Sequence, residues 1–309
     1  MSASNNEYIT QISNKGVIQL SGEERVKYLQ GQVTADINKL QADNALLSCH
    51  CDFKGKIWSV FYTLSWQDSI LLLPHQSVLE KSLAELNKYG VFAKVEITDQ
   101  TPNWQLIGGC GEKMEQTISQ FFGDLPKQNL ATLSSEQGLV LCVDKTAKRY
   151  LVLQPTNATT QFTSPSTDSA ELWEIDEIKA GLADIRQQSS NEFVPQMLNL
   201  QTLGAIDFEK GCYMGQEVIA RTKYLGRNKK AGFILTSPTT NMPLDGELIE
   251  YQIEGNWRPG GKILRSATNG KLTWTFAVLS NDTETHTEFR LKSNTDVLFT
   301  TQPLPYELT

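Results

Sequence analysis

The stretch Asp207-Phe-Glu-Lys-Gly-Cys-Tyr-Met-Gly-Gln-Glu-Val-Ile-Ala-Arg-Thr-Lys-Tyr224 places one cysteine, Cys212, between Gly211 and Gly215. Lys210 precedes it and Gln216-Glu217 follow. Small residues around a thiol let the backbone turn sharply and keep the sulfur reachable. Val218, Ile219 and Thr222 recur at i, i+1 and i+4, which predicts a short helix with Arg221 and Lys223 on its exposed side. A thiol at a helix N-terminus beside a lysine lies in positive potential, which favours thiolate. About 3% of a thiol with pKa ~8.5 is ionised at pH 7, and about half if the pKa falls to ~7. These residues alone leave a second reading equally open, a Gly-flanked turn around a buried and inert cysteine.

Beyond Tyr224-Leu-Gly-Arg-Asn-Lys-Lys230 the texture changes. Phe233–Leu235, Leu248–Ile253, Lys262–Arg265, Leu272–Leu279, Glu288–Leu291 and Val297–Thr300 read as short strands separated by Pro, Gly, Asn and Asp. No segment there has a helical period, so a small antiparallel barrel is predicted for 231–309.

Upstream, strands alternate with helices. Val17–Leu20 reads as a strand, followed by Ser21-Gly-Glu-Glu24, a capping-box pattern opening a helix to Gly31. Leu46–Cys51 and Ile57–Leu64 alternate as strands around a hairpin connection, Asp52-Phe-Lys-Gly-Lys56. Ser69–Leu73 is a further strand. Ser77-Val-Leu-Glu80 reads as a second capping box, for a helix carrying Leu79, Leu83 and Leu86 to Gly90, and Val91–Ile97 returns as a strand. This gives an α+β lobe over 1–98. Gln105–Gly109, a helix over Met114–Phe122, Leu139–Val143 and Tyr150–Leu153 give a second, over 99–230. Residues 156–168 are polar and read as a surface linker. A helix over Ala170–Ala180, capped by Asp168 or Ser169, carries the stripe Leu172, Ile175 and Ile178; Trp173 points away from it, to pack elsewhere or to meet a flat ligand.

Composition narrows the function classes. At 309 residues with 39% hydrophobic and 20% charged, the chain is that of an ordinary globular protein with two or three packed units. Its start, Met1-Ser-Ala-Ser-Asn-Asn-Glu7, lacks a basic segment followed by an apolar run, and its apolar runs are strand-sized, so a cytoplasmic protein without a membrane anchor is expected. Five cysteines without scaffold spacing suit a reducing compartment. Cys49-His50-Cys51 would put its thiols on one strand face and the imidazole on the other, so no metal site is expected. A net charge of −7 argues against a protein that coats nucleic acid. Residues 208–230 nevertheless carry six cations against two carboxylates, leaving −11 elsewhere. That patch suits a bounded anion, such as a polyglutamyl tail or a stretch of RNA, or else a solvated linker. There is no internal repeat, GxGxxG or P-loop pattern.

The run Lys210-Gly-Cys-Tyr-Met-Gly-Gln-Glu217 with Ala220-Arg221 resembles the signature of the YgfZ family, bacterial folate-binding proteins implicated in tRNA modification. The resemblance extends over most of the chain. Tyr28-Leu-Gln-Gly-Gln-Val-Thr-Ala-Asp36, His50-Cys-Asp-Phe-Lys-Gly-Lys56, Phe193-Val-Pro-Gln196, Asn199-Leu-Gln201 and Pro303-Leu-Pro-Tyr306 all take part. That family is similar to the T-protein aminomethyltransferases of glycine cleavage, which implies a folate-binding core of two α+β lobes followed by a C-terminal barrel.

The resemblance further implies a tetrahydrofolate-type ligand and a role supporting iron–sulfur enzymes that methylthiolate tRNA, with an indirect link to control of replication initiation. It makes Cys212 the functional thiol and Trp173 a folate contact. Lys210, Gly211, Tyr213, Gly215, Gln216, Glu217 and Arg221 follow as motif or anion contacts. A monomer without stable nucleic-acid binding is expected. Two positions depart from the pattern. Lys15 stands where a second folate-contacting tryptophan is expected, and Lys179-Ala-Gly181 where the aminomethyltransferases carry Glu-Ala-Gly. An ammonium donates only, so it cannot receive pterin N–H groups as a carboxylate does. The alternative is a folate-dependent aminomethyltransferase, for which Asp36 and Asp52 are the candidate bases; a direct RNA binder using Arg221–Lys230 is the third reading.

Overall fold

The computed structural model describes residues 7–162, 169–226, 228–284 and 287–308. The chain divides into two compact units. The first comprises Met1–Gly31, Asp36–Ser48 and Phe61–Trp173; the second comprises Gln32–Ala35, Cys49–Val60 and Glu174–Thr309.

In the first unit, β1 (Tyr8–Gln11), β7 (Trp104–Cys110), β8 (Thr132–Ser135), β9 (Gly138–Asp144) and β10 (Arg149–Pro155) form an antiparallel sheet in the order β1-β7-β10-β9-β8. Helix α3 (Glu112–Phe122) closes one face, where Met114 and Ile118 pack with Ile107, Val140, Cys142, Tyr150 and Val152. A second sheet has the order β3-β4-β5-β2-β6, from β2 (Ile18–Ser21), β3 (Ala45–Cys51), β4 (Ile57–Trp66), β5 (Ser69–Leu72) and β6 (Glu96–Asp99). Strands β3 and β4 run on into the second unit at Cys49 and Val60. Helices α1 (Arg25–Gln30) and α2 (Gln76–Gly90) complete the set, and α2 buries Val78, Leu79 and Leu86.

Neither predicted capping box forms. The Glu24 carboxylate accepts the Lys94 backbone N–H, so α1 starts without a side-chain cap. In α2 the imidazole Nδ1 of His75, not Ser77, caps the first turn by accepting from Ser77 N. The strand expected over 91–97 begins only at Glu96; Val91 and Phe92 are exposed, and alternation there reflects a surface loop. Asp168, residues 163–168 of the expected linker and Arg227 lie outside the described residues.

The second unit holds the barrel: β11 (Lys230–Ser237), β12 (Leu248–Ile253), β13 (Asn256–Thr268), β14 (Thr273–Ser280), β15 (Glu288–Leu291) and β16 (Leu298–Gln302), closed in the order β11-β14-β13-β12-β15-β16. All its pairings are antiparallel. Its core is Phe233, Leu235, Ile249, Ile263, Leu279, Phe289 and Phe299 with smaller neighbours. The latter half of α4 (Ala170–Lys179) is tied to the barrel through charge: Arg265, fully buried, donates to Glu174 at 2.8 Å, and Arg186 donates to the same carboxylate at 2.6 Å and to Asp245. Asn199, at φ 59, clamps β11 through both atoms of its amide on Gly232. Tyr306 donates to Gly181 O at 2.6 Å.

Candidate functional site

The loop bearing Cys212 is built from two buried anchors. Asp207 Oδ1 accepts the N–H groups of Glu209 and Lys210, a local turn that aims the lysine inward. The Lys210 side chain donates to Val33 O at 2.8 Å and Ala35 O at 2.7 Å, with only 7% of the residue exposed. Tyr213, on the other side of the cysteine, is also buried, with the Lys210 ammonium 5.0 Å from its ring centre. Burial, reinforced by Cys49, Cys51 and Asp207, pushes the Tyr213 phenol up and keeps it neutral. Between these anchors Gly211 and Cys212 are exposed.

The next segment is fixed by close approach. Gly215 has φ 81, and a Cβ there would lie 2.5 Å from Asp52 O and 2.8 Å from Gly55 Cα. The Asp52–Lys56 connection therefore rests on a glycine backbone, shaped by Asp52 Oδ1 accepting from Lys54 N and Lys56 N. Gly211 differs: a Cβ on it would meet nothing within 4 Å. Crowding within the chain does not demand glycine there.

Helix α5 runs over Gln216–Leu225, with Gly215 as N-cap. Ile219 is buried, Val218 and Thr222 half-buried, and Glu217, Arg221 and Lys223 exposed, as their spacing predicts. Cys212 does not sit in the helix's first turn, which is a correction. The left-handed Gly215 starts the helix three residues later, and the Gln216 N–H is spent on Tyr213 O. Nor is the Lys210 ammonium free to face the thiol, since two carbonyls hold it.

The remaining expected residues have structural partners. Trp173 is 3% exposed; a Cβ on Gly108 of β7 would lie 2.5 Å from its ring, and the Arg149 guanidinium stands 4.8 Å from the ring centre. Lys179 lies over Trp274 at 4.8 Å, and Lys15 forms a backbone bridge with His75. Asp36 caps the turn Ile37–Lys39 and accepts from Gln30 Nε2. Asp52 Oδ2 accepts from Asn191. Cys49, His50 and Cys51 are all buried. The anchoring role of Lys210 was missed because an inward lysine has no pattern of its own; the only signal is Asp207 three residues earlier.

Comparison with known proteins places this geometry. Residues 228–294 match the model of the YgfZ β-barrel domain. The chain is 37% identical over 307 residues to the "tRNA-modifying protein YgfZ" of Yersinia enterocolitica, covering 97% of this chain and 93% of that one. It is 36% identical over 305 residues to the protein of that description from Photorhabdus laumondii, covering 97% and 92%. Among solved structures, the glycine cleavage aminomethyltransferase T of Bartonella henselae shares the fold, with a TM-score of 0.74 over 96% of this chain and 85% of that one at 14% identity. No described helix is long and apolar enough to cross a membrane. With more than a third of its residues shared along almost its whole length, this chain belongs to the YgfZ family.

Proposed function

We propose that this chain is a folate-linked accessory protein that supports tRNA modification, methylthiolation in particular, through iron–sulfur enzymes, with Cys212 as its working thiol. In this reading it acts in the cytoplasm as a monomer of three segments, 1–98, 99–230 and 231–309. It contacts its client enzymes transiently, forms no stable complex with nucleic acid, and affects replication initiation only indirectly. The observation that carries the reading is the exposed Cys212 between the buried anchors Lys210 and Tyr213. A purely structural cysteine gains nothing from being held outward in this way. The matched relatives, named as tRNA-modifying proteins, supply the biological setting.

Folate fits the residues assigned to it only in part. A pterin needs an open aromatic face and an acceptor for its N–H groups. The face of Trp173 is covered by Arg149, and the side chain at 179 is a cation engaged on Trp274. Binding at Trp173 therefore requires the guanidinium to leave the indole. Asp36 and Asp52 each shape a local turn through Oδ1, which accounts for both carboxylates without a catalytic role and gives the aminomethyltransferase reading no support of its own.

The test is to express Cys212→Ser in cells lacking the native gene and to measure methylthiolated tRNA. Loss of the modification is expected; full complementation would reduce the thiol to a surface residue. Separately, a folate titration followed by tryptophan fluorescence should give a response that Trp173→Phe alters. No response would remove folate from that residue without touching the role of the thiol.

A further inference from the structure

The short segment Gln32–Ala35 carries no role in the reading above, yet the Cys212 arm rests on it. The chain on either side belongs to the first unit, whereas Gln32–Ala35 itself joins the second. Three consecutive carbonyls of this segment accept from the arm. Lys210 Nζ donates to Val33 O at 2.8 Å and to Ala35 O at 2.7 Å, and Asp207 N donates to Thr34 O at 2.9 Å. On its other side the segment is laid against β3: Thr34 N donates to Cys49 O at 3.1 Å, and Val33 pairs with His50.

The side chain of Thr34 joins these two attachments. It is fully buried, and its Oγ1 donates to Ala205 O at 2.6 Å and accepts from Cys49 N at 3.1 Å. A hydroxyl has one proton and two lone pairs. The proton is spent on Ala205 O, so the Cys49 thiol, 3.2 Å away, is the donor to the remaining lone pair. One oxygen thereby fills its whole hydrogen-bonding capacity between β3 and the stretch 205–210 that leads to Cys212. Valine has nearly the same shape, but it would leave Ala205 O and Cys49 N without this partner in a buried setting.

We infer that Thr34 is the positioning residue of the Cys212 arm. Acting through Ala205, Asp207 and Lys210, it keeps the lysine ammonium on its two carbonyls and away from the thiol two residues later. The inference rests on the proposed role of Cys212 for its functional meaning. Its test reads the arm itself, so it can fail while Cys212→Ser still abolishes tRNA methylthiolation.

Two readouts on the full chain test it. In Thr34→Val, amide hydrogen exchange over 205–210 should quicken by at least about tenfold, while strand β14 of the barrel keeps its native rate. With the ammonium released toward the sulfur, the pH midpoint for reaction of Cys212 with an aromatic disulfide reagent should fall by about half a unit or more. A residue that only supports the fold would speed exchange in β14 as well and leave the midpoint in place. Thr34→Ser, which keeps the hydroxyl, should restore both native values. Unchanged exchange over 205–210, an unchanged midpoint, or a serine variant that behaves like the valine one overturns the proposal. Should Thr34→Val fail to fold, exchange in the unaltered chain carries the test: the Thr34, Cys49 and Asp207 amides should respond to low urea as one unit, and independent openings overturn it.

Discussion

Trp173 and Cys212 enter the reading of this chain as equals, each assigned by resemblance to one site, yet the fold treats them oppositely. The tryptophan is packed: the bare backbone of Gly108 receives its ring, and Arg149 covers it. The cysteine is presented, its neighbours at 210 and 213 sunk into the second unit while it stays exposed. The difference teaches that a matched residue inherits a position, whereas its availability is set by what surrounds it. At Trp173 a glycine on β7, with three strands between them in the sequence, decides burial. At Cys212 an inward lysine decides exposure.

The largest test of that contrast is truncation. Trp173→Ala should cost about 3–5 kcal/mol in urea denaturation, the range for emptying a buried aromatic site, whereas Cys212→Ser should stay within about 0.5 kcal/mol. Similar losses in the two variants would break the comparison. Next comes Lys210→Met, which keeps the stem and strips Val33 O and Ala35 O of their donor; about 2–3 kcal/mol should be lost in the same assay. An unaffected Lys210→Met protein would mean that the loop is held by something other than this anchor.

Two glycines sharpen the picture further. Gly215→Ala should lose about 1–3 kcal/mol, from its positive φ and the approach of Asp52 O. Gly211→Ala should change melting by less than about 0.5 kcal/mol, because its Cβ points into open space. Reversal of that order would contradict the loop geometry.

The smallest effect separates the units by pH. Burial, only partly offset by Lys145, pushes the Cys142 thiol of the first unit up to about 11, and burial pushes the Tyr306 phenol of the second up to about 12. Each is an acid held neutral by the fold. Its contribution is therefore complete below the unfolded pKa, ~8.5 for cysteine and ~10 for tyrosine, and is lost as pH rises toward the folded value. Cys142→Ala should flatten the decline in stability that begins above about pH 8.5, and Tyr306→Phe the part beginning above about pH 10. An unaltered alkaline profile in both variants would show that these groups titrate alike in the folded and unfolded chain.

Much of the fold is legible in the sequence because its signals are local. The six barrel strands follow from alternation between turn residues, and α5 follows from the spacing of Val218, Ile219 and Thr222. What escapes reading is set mostly by distant partners. Ser21 begins a capping-box pattern, but its Glu24 is taken by the distant Lys94; at Ser77 the competitor is local, since His75 two residues earlier takes the cap. Strands β1 and β8, four residues each, are too short to show a period and exist through their neighbours β7 and β9. At the candidate site the glycine-flanked turn around Cys212 is legible. The inward turn of Lys210 and the side-chain contacts of Thr34 are not, since both depend on carbonyls that other segments bring to them.

The central claim is a single reachable sulfur, and counting thiols tests it directly. Cys49, Cys51, Cys110 and Cys142 are buried and Cys212 is exposed. Reaction of the native protein with an aromatic disulfide reagent should therefore release one equivalent rapidly, rising to five on unfolding, and the fast equivalent should vanish in Cys212→Ser. No fast-reacting thiol in the native chain, or one that persists in the variant, would contradict the account.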